Sequence, residues 1–401
     1  MTTQELIAAS GKYLANTYAR FPIVLVRGRG VHLWDSDGKE YLDFVGGIAV
    51  DALGHCHPKM VEAIRAQAET LIHVSNLYHI EPQIHLGKLL CEQSFADRAF
   101  FCNSGAEANE AAIKLARKYA KDHWSSDRVE IIAMHHAFHG RTLATVTATG
   151  NPKYLHGFEP LMPGFKHVPF NDLRAVERAV DSRTCAVLVE PVQGEGGVNV
   201  PGDAYLPGLR RLCDEAGILL ILDEVQSGMG RTGRLFAYQH WGVEPDILTV
   251  AKALAGGVPM GAMLAREAVA ASFVPGTHAS TFGGTPFVSA IALAVVRTML
   301  EDDLPGNAAR VGKYFFDRLE GLKARHSAVK AVRGKGLILG VELSVPARNV
   351  VSACMERGLL VLTAGDTVVR FVPPLIVTEA DVDRAVTIVE AALTAVEETP
   401  N

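Results

Sequence analysis

The chain has 401 residues, 48% of them hydrophobic and 21% charged, with a formal net charge of -5. This is a soluble globular composition, and no long basic run offers a surface for nucleic acid or an anionic membrane. The six cysteines are scattered without a CxxC pair, which argues against a disulfide framework or zinc module and fits a reducing, cytoplasmic compartment.

The opening MTTQELIAASGKYL lacks a basic start followed by an apolar stretch, so it reads as polar or amphipathic, not as a signal peptide. Strands are predicted at 24–27, 32–34 and 41–44, with Ser36-Asp37-Gly38 as a turn. A long helix is predicted over 105–121, opening with a capping box of Ser104 and Glu107. The runs 129–134, 186–189, 218–222 and 247–250 are nearly all apolar, as strands buried on both faces must be. Helical patterns such as 204–216 lie between them, and this βαβ rhythm predicts a mostly parallel sheet covered by helices. The apolar run 287–300 contains Arg297 and is too short to span a membrane; it reads as a buried connecting helix. Strands follow at 337–343 and 368–372. After Pro373-Pro374 comes a helix over 379–396, capped by Thr378 with Asp381 three residues on. The expected class is α/β, with a large domain over 58–290. A small α+β domain is expected from 1–57 and 291–401.

Five segments can carry chemistry. The strand 218–222 ends in Asp223-Glu224, and ligands of open parallel sheets bind at such strand ends. A carboxylate there answers either a ligand cation or a cap and surface salt bridge. Lys252 follows the next strand, 29 residues after Asp223. Apolar walls would make its amine a nucleophile, although a lysine can also pack its stem and leave its head in water. Gly105 and Ala106 expose amides at a helix start, where phosphate binds; the same start is also a good cap. In His135-His136-Ala137-Phe138-His139-Gly140-Arg141, the histidines lack an HExxH pattern, so no metal is expected. Phe138 can stack on a flat ring and Arg141 can hold a carboxylate, or both can be ordinary packing and surface residues. Glu190 to Gly197 forms a glycine-rich turn that brings Glu195 near the crevice. The stretch Gly228 to Gly233 matches GxGxxG, but it neither follows its strand directly nor opens a clear helix, which disfavours a dinucleotide site.

Together these segments, with Ser280-Thr281-Phe282-Gly283-Gly284, resemble in order the class III pyridoxal-phosphate-dependent aminotransferases over nearly the whole chain. Tyr41 to Val50 and Ser75-Asn76-Leu77-Tyr78 look like the branch that acts on N-acetylornithine. Ile48 stands where the ornithine branch tends to carry an aromatic residue, and Asp51 replaces a common asparagine. The resemblance implies a type I pyridoxal-phosphate fold and a homodimer with shared active sites. It implies Lys252 as the Schiff-base lysine and proton carrier, and Asp223 at the pyridine nitrogen. Ser104, Gly105, Ala106, Phe138, Glu224, Val225, Gln226 and, from the neighbouring subunit, Thr281 would bind the cofactor. Arg141, Glu195, Ser280, Arg370 and Asn76 would bind substrate, with Glu195 pairing Arg370 in one half-reaction. The implied reaction moves the δ-amino group of acetylornithine to 2-oxoglutarate. The alternatives are succinylornithine, N-succinyldiaminopimelate, ornithine or 4-aminobutyrate as donor, or an aminomutase using the same cofactor.

Overall fold

A computed structural model describes residues 1–398. Among these residues the main strands form one seven-stranded sheet and two four-stranded sheets. The large sheet runs, edge to edge, Arg98–Cys102, Gly261–Ala265, Ile247–Val250, Leu219–Asp223, Thr184–Val189, Glu130–Met134 and Phe165–Val168. Neighbours from Ile247–Val250 to Phe165–Val168 are parallel; Gly261–Ala265 runs antiparallel to both of its neighbours. The link 251–260 is too short for a helical crossover, so the chain must return antiparallel. That strand, Gly-Ala-Met-Leu-Ala, has no β-branched or aromatic residue, which is why its sequence gives little strand signal. Every residue of Thr184–Val189, Leu219–Asp223 and Ile247–Val250 is buried, as helices on both faces require.

The two ends of the chain meet in a shared sheet. Leu25–Arg29, His32–Asp35 and Glu40–Asp43 pair antiparallel, and Leu359–Leu360 joins them parallel to Glu40–Asp43. The other small sheet orders Val329–Lys335, Ile338–Leu343, Val368–Phe371 and Leu362–Ala364. Two small sheets thus lie outside the large one, and the first is built from both ends of the chain. The connecting helix runs Pro286–Glu301 and packs on Pro58–Thr70 and Glu81–Glu92. Predicted strand ends lie within two residues of the observed ones, and 247–250 agrees at both ends.

The GxGxxG stretch is a buried joint, not a nucleotide loop. Arg231, 1% exposed, donates to the carbonyls of Leu337 and Pro373, tying the stretch to the sheet that carries Arg370. Gly233 is needed because a Cβ there would press on Ala309 at 3.0 Å with φ at +100°.

The last helix, Glu379–Glu398, buries Val382, Ala385, Val386, Val389, Ala392 and Leu393. Its start is closed reciprocally. The Asp381 amide donates to Thr378 Oγ1 at 3.3 Å, and the Thr378 amide donates to Asp381 Oδ2 at 2.9 Å. Thr378→Ala should lower stability by about 1 kcal/mol, read as a lower urea midpoint with an unchanged slope.

Candidate active site

Asp223 closes the strand Leu219–Asp223 and is 2% exposed. Its Oδ2 accepts from His139 Nδ1 and from Asn109 Nδ2, both at 2.7 Å, and its Oδ1 accepts from the Val225 amide at 2.9 Å. Asn109 also donates to the His139 carbonyl and accepts from Thr249 Oγ1 at 2.7 Å. Burial alone would push the His139 imidazole down, but the hydrogen bond and charge of Asp223 raise it. The carboxylate is therefore held in one orientation by several donors before any ligand arrives.

The cavity beside it has a volume of about 410 Å3. Lys252 enters it after strand Ile247–Val250, with φ at +43°, a strained conformation of the kind that collects at functional sites. Burial lowers its pKa from 10.5 to about 8; Arg370 adds to this, while Glu195, Asp223 and Glu190 oppose it. Glu190 also lines the cavity and accepts from the Phe138 amide at 3.0 Å. Burial pushes its carboxyl up, with Asp223 adding and His139 opposing.

At the other wall, Ser104 caps helix Gly105–His123 by accepting from the Glu107 amide. The Glu107 carboxylate reaches the Asn103 amide at 2.7 Å, one residue before the cap, so the expected box is only half formed. The Gly105 and Ala106 amides lie in the first turn, where no intrahelical acceptor exists, and both residues line the cavity. A Cβ at Gly105 would meet Val225 at 2.6 Å, so only glycine keeps that slot open. Phe138, Val225 and Arg141 complete the lining. The Arg141 guanidinium stacks 3.7 Å above the Tyr154 ring and 5.5 Å from that of Phe138.

Beyond Gln226 lies a second arginine. Arg370, 2% exposed, donates from Nη1 to Glu195 Oε1 at 2.6 Å and to Gln226 Oε1 at 3.0 Å. Gln226 donates from Nε2 to the same Glu195 oxygen. Burial would raise the Glu195 carboxyl, but Arg370, with help from Lys252 and Gln226, holds it below its usual range. A Cβ at Gly194 would overlap the Gln226 amide, so this glycine leaves room for the trio.

Glu195 and Arg370 reach the cavity only through Gln226 and do not line it, and four more of the expected residues lie elsewhere. Glu224 points away from the cavity, and its buried carboxylate accepts from the Ala237 and Tyr238 amides. Alternation along an extended segment explains this: with Asp223 facing the crevice, its neighbour must face the other side. Asn76, Ser280 and Thr281 line a separate hollow of about 910 Å3. Asn76 braces that loop by donating to the Ser280 and Gly283 carbonyls, and Ser280 Oγ accepts from Asn103, which also lines the Lys252 cavity. His135 stacks on His167 at 6.0 Å, and 135–142 is not helical, so His135 and His139 share no helix face. Sequence reasoning missed Asn109, Glu190, Thr249 and Tyr154. Asn109 alone left a signal, as a polar residue on the otherwise apolar face of Ala108, Ala111 and Ala112.

The family model described as aminotransferase class-III matches residues 13–393. The chain is 51% identical to an acetylornithine aminotransferase of Methanocaldococcus jannaschii over 98% of this chain and 99% of that protein. Among solved structures, an ornithine aminotransferase from Toxoplasma gondii superposes with a TM-score of 0.96 at 36% identity, covering 99% of this chain and 96% of that one. An N-acetylornithine aminotransferase from Stenotrophomonas maltophilia gives a TM-score of 0.85 at 38% identity, covering 98% and 99%.

Only the neutral Lys252 amine attacks an aldehyde. Covalent capture of pyridoxal phosphate by the apoenzyme should therefore speed up with rising pH and level off above about 8. A stopped-flow rate still climbing toward 10.5 would show that burial does not shift this lysine.

Proposed function

Because the chain belongs to the class-III aminotransferases and is a pyridoxal-phosphate-dependent enzyme, we propose that it moves the δ-amino group of N-acetylornithine to 2-oxoglutarate. The products are N-acetylglutamate 5-semialdehyde and glutamate. The observation that carries this reading is the Arg370–Glu195 pair, hydrogen-bonded to the cavity-lining Gln226, together with an exposed Arg141 in the same lining. One pocket must accept two substrates that present their α-carboxylates differently, and two arginines with one movable counter-ion meet that need.

The cavity fits the cofactor. Amides of Gly105 and Ala106 can take a phosphate, and the slot beside Val225 admits a flat ring. Asp223 lines the same cavity and would hold the ring nitrogen. Bound there, the group supplies an aldehyde carbon for amines and a ring that accepts electrons. Lys252 Nζ would hold the group at its aldehyde carbon and, once freed, would serve as the base that moves a proton at the substrate carbon. Asp223 would hold a proton at the ring nitrogen, and His139 and Asn109 keep Asp223 oriented. Arg141 holds the α-carboxylate of acetylornithine, which leaves the δ-amine near Lys252. Glu195 meanwhile covers Arg370, since an unpaired buried guanidinium costs several kcal/mol. When 2-oxoglutarate or glutamate enters, its α-carboxylate takes the place of Glu195 on Arg370.

The hollow lined by Asn76, Ser280 and Thr281 supports a homodimer in which this loop completes the partner's cavity. Free cysteines support a cytoplasmic location.

The deciding assay mixes holoenzyme and 2-oxoglutarate with acetylornithine, succinylornithine, N-succinyldiaminopimelate, ornithine and 4-aminobutyrate. Acetylornithine should give the highest kcat/KM for glutamate production, and another leader would displace it. Lys252→Ala should remove the visible absorbance of lysine-attached cofactor and lower kcat by about 10^3-fold or more; retained turnover would end its assignment. Glu195→Gln should change the acetylornithine and glutamate half-reactions unequally in single-turnover measurements, and equal effects would remove the switch.

A further inference from the structure

Gly46, Gly47, Ile48 and Ala49 have φ of +52°, +63°, +64° and +63°. The Ala49 amide donates to the Val45 carbonyl at 3.1 Å and the Val50 amide to the Gly46 carbonyl at 2.7 Å. These four residues thus form a hydrogen-bonded turn of left-handed helix. Glycine takes this conformation freely, but at Ile48 and Ala49 the Cβ crowds the following carbonyl, most severely at the β-branched isoleucine. Such a turn persists only where its surroundings over-determine it.

The surroundings do so from one side in particular. Asp43, 1% exposed, accepts the Val45 and Gly46 amides on Oδ1, both at 2.9 Å, which closes the start of the turn. Its Oδ2 takes His55 Nε2 at 2.7 Å. The His55 main chain exchanges hydrogen bonds with Gly30 at 2.9 and 2.8 Å, fixing the ring against the first hairpin. On its far side His55 Nδ1 lies 4.0 Å from Asp51, whose amide returns to the Gly46 carbonyl. The hydrogen bond to Asp43 raises the imidazole pKa, so this contact is charge-assisted.

Two parts of the substrate pocket hang on the turn. Val50, its next residue, lines the Lys252 cavity. Gly46 sits so close to the chain after Arg370 that a Cβ would meet the Val372 carbonyl at 2.9 Å, and the Val372 amide donates to Phe44. We propose that His55 is a positioning residue: through Asp43 it locks the left-handed turn, and the turn sets both the Val50 wall and the approach of the Arg370 strand to the substrate. The proposal rests on the assignment of Arg370 to the glutamate α-carboxylate. Among the described residues the turn packs near 252–255, but no hydrogen bond joins His55, Asp43 or the turn to Lys252, so loss of the clamp acts on carboxylate binding before cofactor capture.

The test uses the holoenzyme, glutamate as amino donor and a saturating aldehyde or 2-oxo acid as amino acceptor. His55→Ala should raise KM for glutamate about tenfold, with kcat within about twofold of wild type, as loss of one charge-assisted hydrogen bond predicts. The visible absorbance of bound cofactor should not change. Amide hydrogen exchange in the peptide spanning 45–51 should quicken. His55→Gln, whose amide can still donate to Asp43, should recover most of the affinity and the protection. If His55→Ala does not fold, Asp43→Asn keeps an acceptor for the two amides, loses the charge, and should raise KM by about threefold. An unchanged KM, unchanged exchange, or a parallel fall in kcat and cofactor content would overturn the proposal. A wild-type enzyme that accepts glutamate but not acetylornithine would overturn the substrate reading alone, and the clamp would still be read on glutamate.

Discussion

The site is organised around one buried carboxylate. Asp223 ends the central strand of the large sheet, where burial would ordinarily penalise its charge. Donors from helix Gly105–His123, from the 135–142 loop and from its own chain converge on it instead. The parallel order of the strands makes this possible, since it brings the loops after Glu130–Met134, Leu219–Asp223 and Ile247–Val250 to the same edge. Lys252 and the helix start then face one cavity as a consequence of the same strand order.

The second organising element is a charge left nearly without water. Arg370 lies inside a small sheet between Gly340 and Leu362, and its guanidinium reaches back to the large sheet's loops. Glu195 neutralises it at 2.6 Å from a glycine-rich turn. Glu195 is thus on a loop, and Arg370 is on a strand. In the proposed reaction this division lets one pocket alternate between substrates without rebuilding its frame.

Much of the site was legible because its residues cluster in short runs at strand ends. Apolar strands followed at once by Asp223 or Lys252, and a capped helix preceded by a strand, are local patterns with a known physical use. Glu224, which the resemblance assigns to the cofactor, faces away from the cavity because neighbours in extended chain face opposite ways. Strand Gly261–Ala265 was passed over because small and unbranched residues carry no strand preference, and pairing on both sides alone makes it one. The left-handed turn was hidden for a similar reason: Gly46-Gly47 permits it, but Ile48 and Ala49 adopt it only under the hold of Asp43 and the Val372 backbone.

By itself the sequence determined the inventory: a lysine and an aspartate after apolar strands, a capped helix start, two arginines and an α/β frame to carry them. Those features depend on residues near one another in the chain. Only the tertiary structure decided the pairings, because Asn109 and Asp223 are separated by 114 positions and Glu195 and Arg370 by 175. Contacts at that range are set by strand order and sheet packing, which local propensity does not encode. The same packing decided that Asn76, Ser280 and Thr281 belong to a neighbouring hollow and not to the Lys252 cavity of their own chain.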